Sequence, residues 1–385
     1  MTLDGDGAEI DWTVGYSPPP DKFQEKIGLM IAGVGTFKTL SSAYAQNPKD
    51  IETVFKLAQK WSDRSDTKAS EKYKEILALD PDGKMGTTEF RNEKVTYTQY
   101  AEFNMGSNAL RARPPDPALL LAFIKKYPDS AMVKDAYNRM TSYYGRTAPK
   151  ADAAKFFEEY ATRFPQDPMA LGSWVRRIIQ DKEPLDKGLE LALKAVDLSQ
   201  GFAKASAQQS LAQVYILKGD KAKAAETAEL IVKSVSDASA TPAMLAMPMA
   251  GAGEPPPASA APMFLMSAAR IFVEADKTDR ALAVFGPDYL KKNMDNARAL
   301  AGYASFWSSQ DKNLESALEA AKKAAELTPD AYASWNTLSQ IYLKMKNYDE
   351  AIKATQKAVD IAPTEQLKER LRKQIEQIKT EKEKK

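Results

Sequence analysis

Two residue types are missing from this chain of 385 residues, cysteine and histidine. Without cysteine the chain forms no disulfide, carries no thiol nucleophile and builds no zinc–thiolate site. Without histidine it has no imidazole base, and therefore no Ser-His-Asp triad. These absences exclude much of the chemistry that small groups of side chains perform. We therefore predict a protein that is not an enzyme, with no catalytic residues, no metal site and no cofactor.

The chain also lacks a strong net charge and long apolar runs. Its 54 basic and 52 acidic residues leave a formal net charge of +2, which gives no field of one sign to attract nucleic acid. No stretch approaches the roughly 18 consecutive apolar residues of a membrane-spanning helix. The first residues, 1–6, lack the basic and apolar regions of a secretory signal. We expect a soluble protein with no nucleic-acid partner and no membrane insertion, and the composition leaves its compartment open.

What the chain does have is a repeated stop, in which a proline follows a helical pattern. Six of these prolines share a similar context: Pro48, Pro81, Pro128, Pro165, Pro329 and Pro363. Near the C-terminus the spacing becomes regular, because two alanines and a proline recur 34 residues apart. The two sets are Ala317, Ala324 and Pro329, then Ala351, Ala358 and Pro363. A fixed period of this length indicates a repeat protein whose units stack on one another.

The last unit carries a recognisable motif. It reads Trp335-x2-Leu338-Ser339-x2-Tyr342, followed by the alanines and proline just named. This resembles the tetratricopeptide repeat (TPR) pattern, a helix–turn–helix of 34 residues, with Ser339 where the pattern usually has glycine. The resemblance implies an all-α fold, a right-handed TPR-type α-solenoid of helical hairpins. It also implies non-catalytic protein–protein interaction.

The N-terminal residues show a β pattern instead. Asp6-Gly7 is a hairpin turn dipeptide, and Ile10, Trp12 and Val14 alternate with polar residues as in a half-buried strand. Three prolines, 18–20, then precede a helix that starts near Asp21. We predict a short β-hairpin followed by a helix.

This order resembles the last third of a thioredoxin-like domain over residues 1–33. The matching residues are 3–10, Val14-Gly15-Tyr16, the prolines 18–20 and Phe23, whereas the redox Cys-x-x-Cys and the cis-proline of that family have no counterpart. One hypothesis is an N-terminally truncated thioredoxin-like–TPR protein, for which a bacterial periplasmic location is an option. The alternative is a β-hairpin that caps the solenoid.

Composition divides the rest of the chain into four parts. We predict TPR-like helices over residues 34–236, a flexible loop rich in Ala, Pro and Gly over 237–262, TPR repeats over 263–363, and a capping helix with a charged tail over 364–385. An insertion between Gly83 and Pro115 is predicted to hold a loop at Met85-Gly86-Thr87-Thr88 and a helix from Tyr97 to Leu110. The stripe formed by Leu367, Leu371, Ile375 and Ile378 predicts the capping helix.

The TPR resemblance also suggests where a partner would bind. In that family, fixed positions of the first helix line the concave groove. On the last unit these positions include Asn336, Gln340, Leu343 and Lys344, and on the central unit they include Gln209 and Gln213. Asn336 and Lys344 could hold a peptide carboxylate, whereas an ordinary polar peptide groove needs no such clamp.

Three functions stay open at this point. The first is a scaffold that binds a protein or peptide in the groove. The second is a docking module of a thiol–disulfide oxidoreductase whose catalytic half is missing. The third is a structural spacer without a saturable ligand.

Overall fold

The computed structural model describes residues 1–3, 5, 6, 9–12, 20–240 and 261–384. These residues are mainly helical, with two short antiparallel strand pairs, so the predicted all-α, TPR-type fold class is confirmed. The chain divides into two compact units, Met1–Phe164 and Pro165–Lys385. The boundaries predicted near residues 33 and 237 therefore fall inside these units.

Unit 1 begins with a hairpin and continues with helices that pack in sequence order. Its elements are β1 (Thr2–Leu3), β2 (Glu9–Asp11), α1 (Pro20–Ile31), α2 (Phe37–Gln46), α3 (Ile51–Ser62), α4 (Asp66–Leu79), β3 (Thr87–Phe90), β4 (Glu93–Thr96), α5 (Tyr97–Arg111), α6 (Ala118–Lys126), α7 (Val133–Arg146) and α8 (Lys150–Arg163). The pairs α3/α4, α5/α6 and α7/α8 are the helical hairpins of this unit.

The predicted N-terminal hairpin forms, and it is anchored by charge. Asp11 on β2 is fully buried, and its carboxylate accepts hydrogen bonds from Lys60 on α3 and from Arg64, 2.8 Å away. The Arg64 guanidinium also lies over the ring of Phe37, 4.5 Å from its centroid. The hairpin is therefore tied to α2 and α3 of the same unit.

The residues that would decide between a thioredoxin-like remnant and a solenoid cap lie outside the described part. They are 13–19, which include Val14, Tyr16 and two of the three prolines. The predicted helix after them is observed as α1. The thioredoxin-like origin stays a prediction.

The insertion corrects one prediction. The segment expected to be a loop contains a second β-hairpin, in which Thr87 lies opposite Thr96 and Phe90 opposite Glu93. Its two-residue turn is Arg91-Asn92, with φ values of 51° and 68°. Positive φ at both positions is the mark of a type I′ hairpin turn, and Asn-Gly is its usual sequence. The hairpin was not predicted because its Arg-Asn turn lacks the usual glycine. The helix that follows was predicted to within one residue.

Unit 2 contains only helices among its described residues. They are α9 (Pro168–Asp181), α10 (Leu185–Leu198), α11 (Gly201–Leu217), α12 (Lys221–Ala240), α13 (Ala261–Glu274), α14 (Thr278–Phe285), α15 (Pro287–Lys292), α16 (Ala297–Ser309), α17 (Leu314–Leu327), α18 (Tyr332–Lys344), α19 (Tyr348–Ile361) and α20 (Glu365–Glu383). The pairs α9/α10, α11/α12, α13/α14, α16/α17 and α18/α19 are helical hairpins.

Small residues let these helices approach closely. The four motif alanines, Ala317, Ala324, Ala351 and Ala358, are all 1% exposed or less. Ser339, which replaces the usual glycine, is fully buried, and its hydroxyl is 2.6 Å from the hydroxyl of Thr355. Because a buried hydroxyl without a partner is costly, this hydrogen bond is what makes serine acceptable at this position.

The proline stops are observed as predicted. Each of the six prolines lies two residues beyond the end of a helix, which are in order α2, α4, α6, α8, α17 and α19. Proline has no N–H and disfavours helical backbone in the residue before it, so the helix ends before that residue.

The C-terminal helix forms and extends further than predicted. Thr364 caps α20 by accepting from the Leu367 N–H at 3.3 Å, and Leu371, Ile375 and Ile378 are buried. The residues expected to be a frayed tail stay helical to Glu383, where Lys382 pairs with Asp349.

Both ends of the predicted 237–262 loop are helical in the structure. Helix α12 continues to Ala240 and α13 begins at Ala261, so helix enters the predicted loop from both sides. The remaining residues, 241–260, lie outside the described part of the chain.

Candidate functional site

The predicted groove residues lie on the first helices of the hairpins in unit 2. These helices contact one another in the order α9, α11, α13, and α13, α16, α18. Their outward positions form one continuous surface, which we call the first-helix face. The second helices of the pairs carry no predicted groove residue.

On α18 the four predicted residues share this face. Gln340 and Lys344 are exposed, and Leu343 and Asn336 are half-buried. The Asn336 Oδ1 atom is shielded from water, and within the described residues no donor reaches it. A buried acceptor without a donor is costly, so a ligand N–H at this position would gain an unusually favourable hydrogen bond.

Lys344 already has a partner in the folded chain. Its ammonium donates to Asp311, in the turn between α16 and α17 of the preceding pair. Two further lysines bond in the same way to an aspartate of the preceding pair: Lys218, at the end of the first helix α11, to Asp186, and Lys382, on the C-terminal helix α20, to Asp349. We interpret these as ion pairs between repeats. They weaken the idea that Lys344 clamps a peptide carboxylate.

The two predicted residues on α11 lie apart from those on α18. Gln209 is exposed, and Gln213 donates from Nε2 to Glu274 Oε2 on α13 at 3.4 Å. Helices α13 and α16 separate α11 from α18. The structure therefore brings the predicted residues to one face, but in two groups.

Two arginines between these groups were missed from the sequence. The buried residues of α13 are Phe264, Ala268, Ala269, Ile271 and Phe272, which repeat the spacing of those on α18, Ser334, Leu338, Ser339, Ile341 and Tyr342. This register places Arg270 at the position of Gln340. The corresponding register on α16 places Arg298 at the position of Ala333, which is also exposed.

Both arginines are exposed, and neither has a hydrogen bond or ion pair to another described residue. The repeated spacing of small and apolar residues could have placed both arginines from the sequence. The repeats that contain α13 and α16 have diverged from the motif, so this spacing is difficult to recognise there. Arg270 and Arg298 are therefore exposed cations that make no hydrogen bond or ion pair with the described part of the chain.

Other classes of site find little support. Across the residues that the structure describes, no three acidic side chains come together in a way that could hold a metal ion. In the same part of the chain, no helix is both long and apolar enough to cross a bilayer.

Comparison with known proteins gives one family match. The family described as ChAPs (Chs5p-Arf1p-binding proteins) matches residues 258–384, a third of the chain, which includes α13 to α20. A search of curated proteins finds no match.

Several solved structures are similar to the chain. Yeast Tom70 is 16% identical with a TM-score of 0.49, and the match covers 86% of this chain and 61% of Tom70. A tetratricopeptide repeat protein from Parabacteroides merdae is 12% identical with a TM-score of 0.45, over 76% of this chain and 98% of that one. YrrB, described as a TPR protein with an unusual peptide-binding site, is 16% identical with a TM-score of 0.30, over 56% of this chain and 97% of its own. The helical hairpins and the 34-residue period, together with the family match, describe a TPR-like helical-repeat protein.

Proposed function

We propose that this protein is a non-catalytic scaffold that binds an extended, acidic segment of a partner protein along the first-helix face of unit 2. The observation that carries this proposal is the pair of unpaired arginines, Arg270 and Arg298, on neighbouring first helices. A guanidinium presents a planar fork of donors that matches a carboxylate, so an acidic side chain is its natural ligand.

The polar residues around the arginines suit the backbone of such a segment. Asn336 offers a carbonyl oxygen that lacks a donor, and Gln209 and Gln340 are exposed carboxamides on the same face. A carboxamide can both donate to and accept from an extended peptide backbone. Because stacked helical pairs hold the backbone of these residues in place before binding, little backbone entropy of this protein is lost when a partner docks.

The family match supports a protein as the ligand. The matched residues include both arginines and the α18 group, and the family description names binders of two proteins, Chs5p and Arf1p. That description concerns the family. For this chain we infer only that the same helices contact a protein.

Site-specific photo-crosslinking in cells of the source organism tests the proposal. A benzoylphenylalanine replaces Gln340 on the first-helix face or, as a matched control, Lys357, which is also exposed but lies on α19. We expect crosslinked partners from position 340 and none of the same partners from position 357. Equal crosslinking from both positions would contradict recognition by the first-helix face, and no specific product would favour the structural spacer.

A charge variant then tests the role of the arginines. We expect Arg270→Gln/Arg298→Gln to lower the yield of the position-340 crosslink at least tenfold, because each charge-assisted hydrogen bond contributes roughly 1.5–3 kcal/mol. Thermal unfolding should change little, since neither arginine has a partner in the described fold. An undiminished crosslink would show that the acidic segment is the wrong partner chemistry.

A further inference from the structure

A cavity in unit 2 lies away from the first-helix face. It has a volume of about 380 Å³ and is formed where the start of α11 runs alongside the end of α12. Its α11 residues, Gly201, Lys204 and Gln208, recur every three to four positions and so share one side of the helix. Gln209 and Gln213 point away from this side, at about 100° and 140° around the helix from Gln208. The cavity is therefore separate from the proposed groove.

Three polar side chains around this cavity make no hydrogen bond or ion pair with the described residues. Lys204 and Lys233 have no acidic partner among the described residues, and the Ser234 hydroxyl has no hydrogen bond within the same part of the chain. Elsewhere in unit 2 many lysines are paired, as Lys221 is with Asp276. The acid in the lining, Asp237, has an interaction of its own. The cavity is thus lined by two ammonium groups and one carboxylate, and among the described residues neither ammonium group is paired with an acid.

Gln208 gives an independent indication of a ligand. It is only 2% exposed, it lines the cavity, and within the described residues its Oε1 atom has no hydrogen-bond partner. The two ends of a carboxamide have nearly the same shape, so the group can turn its NH2 toward the cavity and donate to a bound acceptor. A buried amide is costly when it bonds to nothing, and a ligand in the cavity would remove that cost.

The start of α11 adds donors of its own. Gln200, at the N-cap position, makes no side-chain capping bond, so the first-turn N–H groups of a 17-residue helix lack that partner. Gly201 lines the cavity at this helix end, where the helix dipole favours a negative charge. One wall is apolar, because Leu230 is 48% exposed there.

We propose that this cavity binds a carboxylate attached to a short apolar group. Lys204, Lys233 and the start of α11 take the carboxylate, Gln208 donates to it, and Leu230 contacts the apolar part. The ligand is either a free aliphatic acid or the C-terminal residue of a peptide, since both present this chemistry.

Calorimetric titration of the full chain with N-acetyl-leucine tests the assignment. We expect saturable binding that is absent with N-acetyl-leucinamide, which has the same shape and no charge. Lys204→Gln/Lys233→Gln should weaken binding at least tenfold, because it removes two charge-assisted hydrogen bonds. The matched control is Lys221→Gln/Lys223→Gln, which makes the same change of charge at the other end of α12 and should bind like the wild type.

Further titrations separate the remaining outcomes. Gln208→Leu should also weaken the binding of N-acetyl-leucine at least tenfold. Thermal unfolding checks that this variant folds. If it does not fold, the double-lysine variant, which is altered only at the surface, tests the site. 4-Methylpentanoate binding as tightly as N-acetyl-leucine would identify a free aliphatic acid, and weaker binding would identify a peptide terminus. No saturation by either acid, equal binding to the double-lysine variant, or equally tight binding of inorganic phosphate would overturn the proposal. The crosslinking from position 340 is independent of all these results.

Discussion

The two units build the same helical hairpins from different side chains. Unit 1 buries five large aromatic side chains almost completely, namely Tyr73, Phe103, Phe123, Tyr137 and Tyr160. The second helices of the last two pairs of unit 2, α17 and α19, are packed mainly with alanine, namely Ala317, Ala320, Ala321, Ala324, Ala325, Ala351, Ala354 and Ala358. Alanine fixes the distance between helices, because nothing longer fits between them. Aromatic rings fill a wider gap, and they must also find geometry and hydrogen bonds that suit each ring.

This difference accompanies the regular 34-residue spacing of the last two pairs of unit 2, which unit 1 lacks. The proline stops of unit 1 begin at Pro48 and follow at intervals of 33, 47 and 37 residues, whereas the last two stops of unit 2 are 34 residues apart. The longest interval contains the β3–β4 hairpin, whose Phe90 ring packs edge-on against Phe103 at 6.1 Å. An aromatic contact thus packs the inserted hairpin against α5.

The largest effect should come from removing an aromatic side chain in unit 1. Tyr137 on α7 stacks on Tyr160 of α8 with centroids 5.1 Å apart and rings nearly parallel. We expect Tyr137→Ala to lower the free energy of unfolding by about 3–5 kcal/mol, because it leaves a large cavity. Hydrogen exchange should accelerate in α7 and α8.

The matched control keeps the ring. Tyr137→Phe loses only the hydroxyl that donates to Glu159 and should cost about 1 kcal/mol. Equal losses in the two variants would show that the hydrogen bond, rather than aromatic packing, holds this pair of helices.

A smaller effect should follow from removing the buried charge of unit 1. Burial alone would raise the pKa of Asp11, but hydrogen bonds from Lys60, Arg64 and the Trp12 N–H lower it below its ordinary value of 3.8. We expect Asp11→Asn to cost about 3 kcal/mol at neutral pH, because two partly buried cations lose a carboxylate.

The pH dependence of this loss follows from the direction of the shift. Since the folded pKa lies below the unfolded one, the carboxylate stabilises the fold fully above pH 3.8 and loses this effect as the pH falls through the folded value. Urea unfolding of both proteins across this range should show the difference shrinking at low pH. If the difference in unfolding free energy between the two proteins did not change with pH, the ionised carboxylate of Asp11 would not be what stabilises the fold.

Unit 2 should be most sensitive to added volume. Ala351 is fully buried, so Ala351→Leu should cost about 1–3 kcal/mol by overpacking. Ala333→Leu, on the exposed face of α18, adds the same atoms and should change the free energy of unfolding by less than about 0.5 kcal/mol. If Ala351→Leu were neutral as well, close packing would not set the spacing of these helices.

The contrast between alanine-packed and aromatic-packed helices also determines how much of the fold the sequence could predict. The prolines and the alanine spacing act through local backbone sterics and close approach, and so they predicted the helix ends and the last pairs of unit 2. The β3–β4 hairpin was missed because Arg91-Asn92 adopts its turn without the usual glycine. Tertiary contact of Phe90 with Phe103 helps to hold it, and that contact is invisible in a local pattern.

The candidate site was predictable only in part, for a related reason. Helical register placed Gln340 and Gln209 on an exposed face. Register alone could not show that Lys344 is engaged by Asp311, since the two lie 33 residues apart. Nor could it show that the buried Gln208 Oε1 atom has no hydrogen-bond partner among the described residues, because that depends on how α12 packs beside α11.

The smallest effect should come from the ion pair between Lys344 and Asp311. The two side chains are 35% and 71% exposed, so water and salt screen their attraction. A double-mutant cycle with Lys344→Ala and Asp311→Ala should give a coupling below about 1 kcal/mol that fades at high salt. If Lys344 joins repeats and does not grip a ligand, the position-340 crosslink should persist in Lys344→Ala. A lost crosslink with unchanged stability would instead return Lys344 to the role of a carboxylate clamp, and the ion pairs of unit 2 would then serve binding rather than the stack.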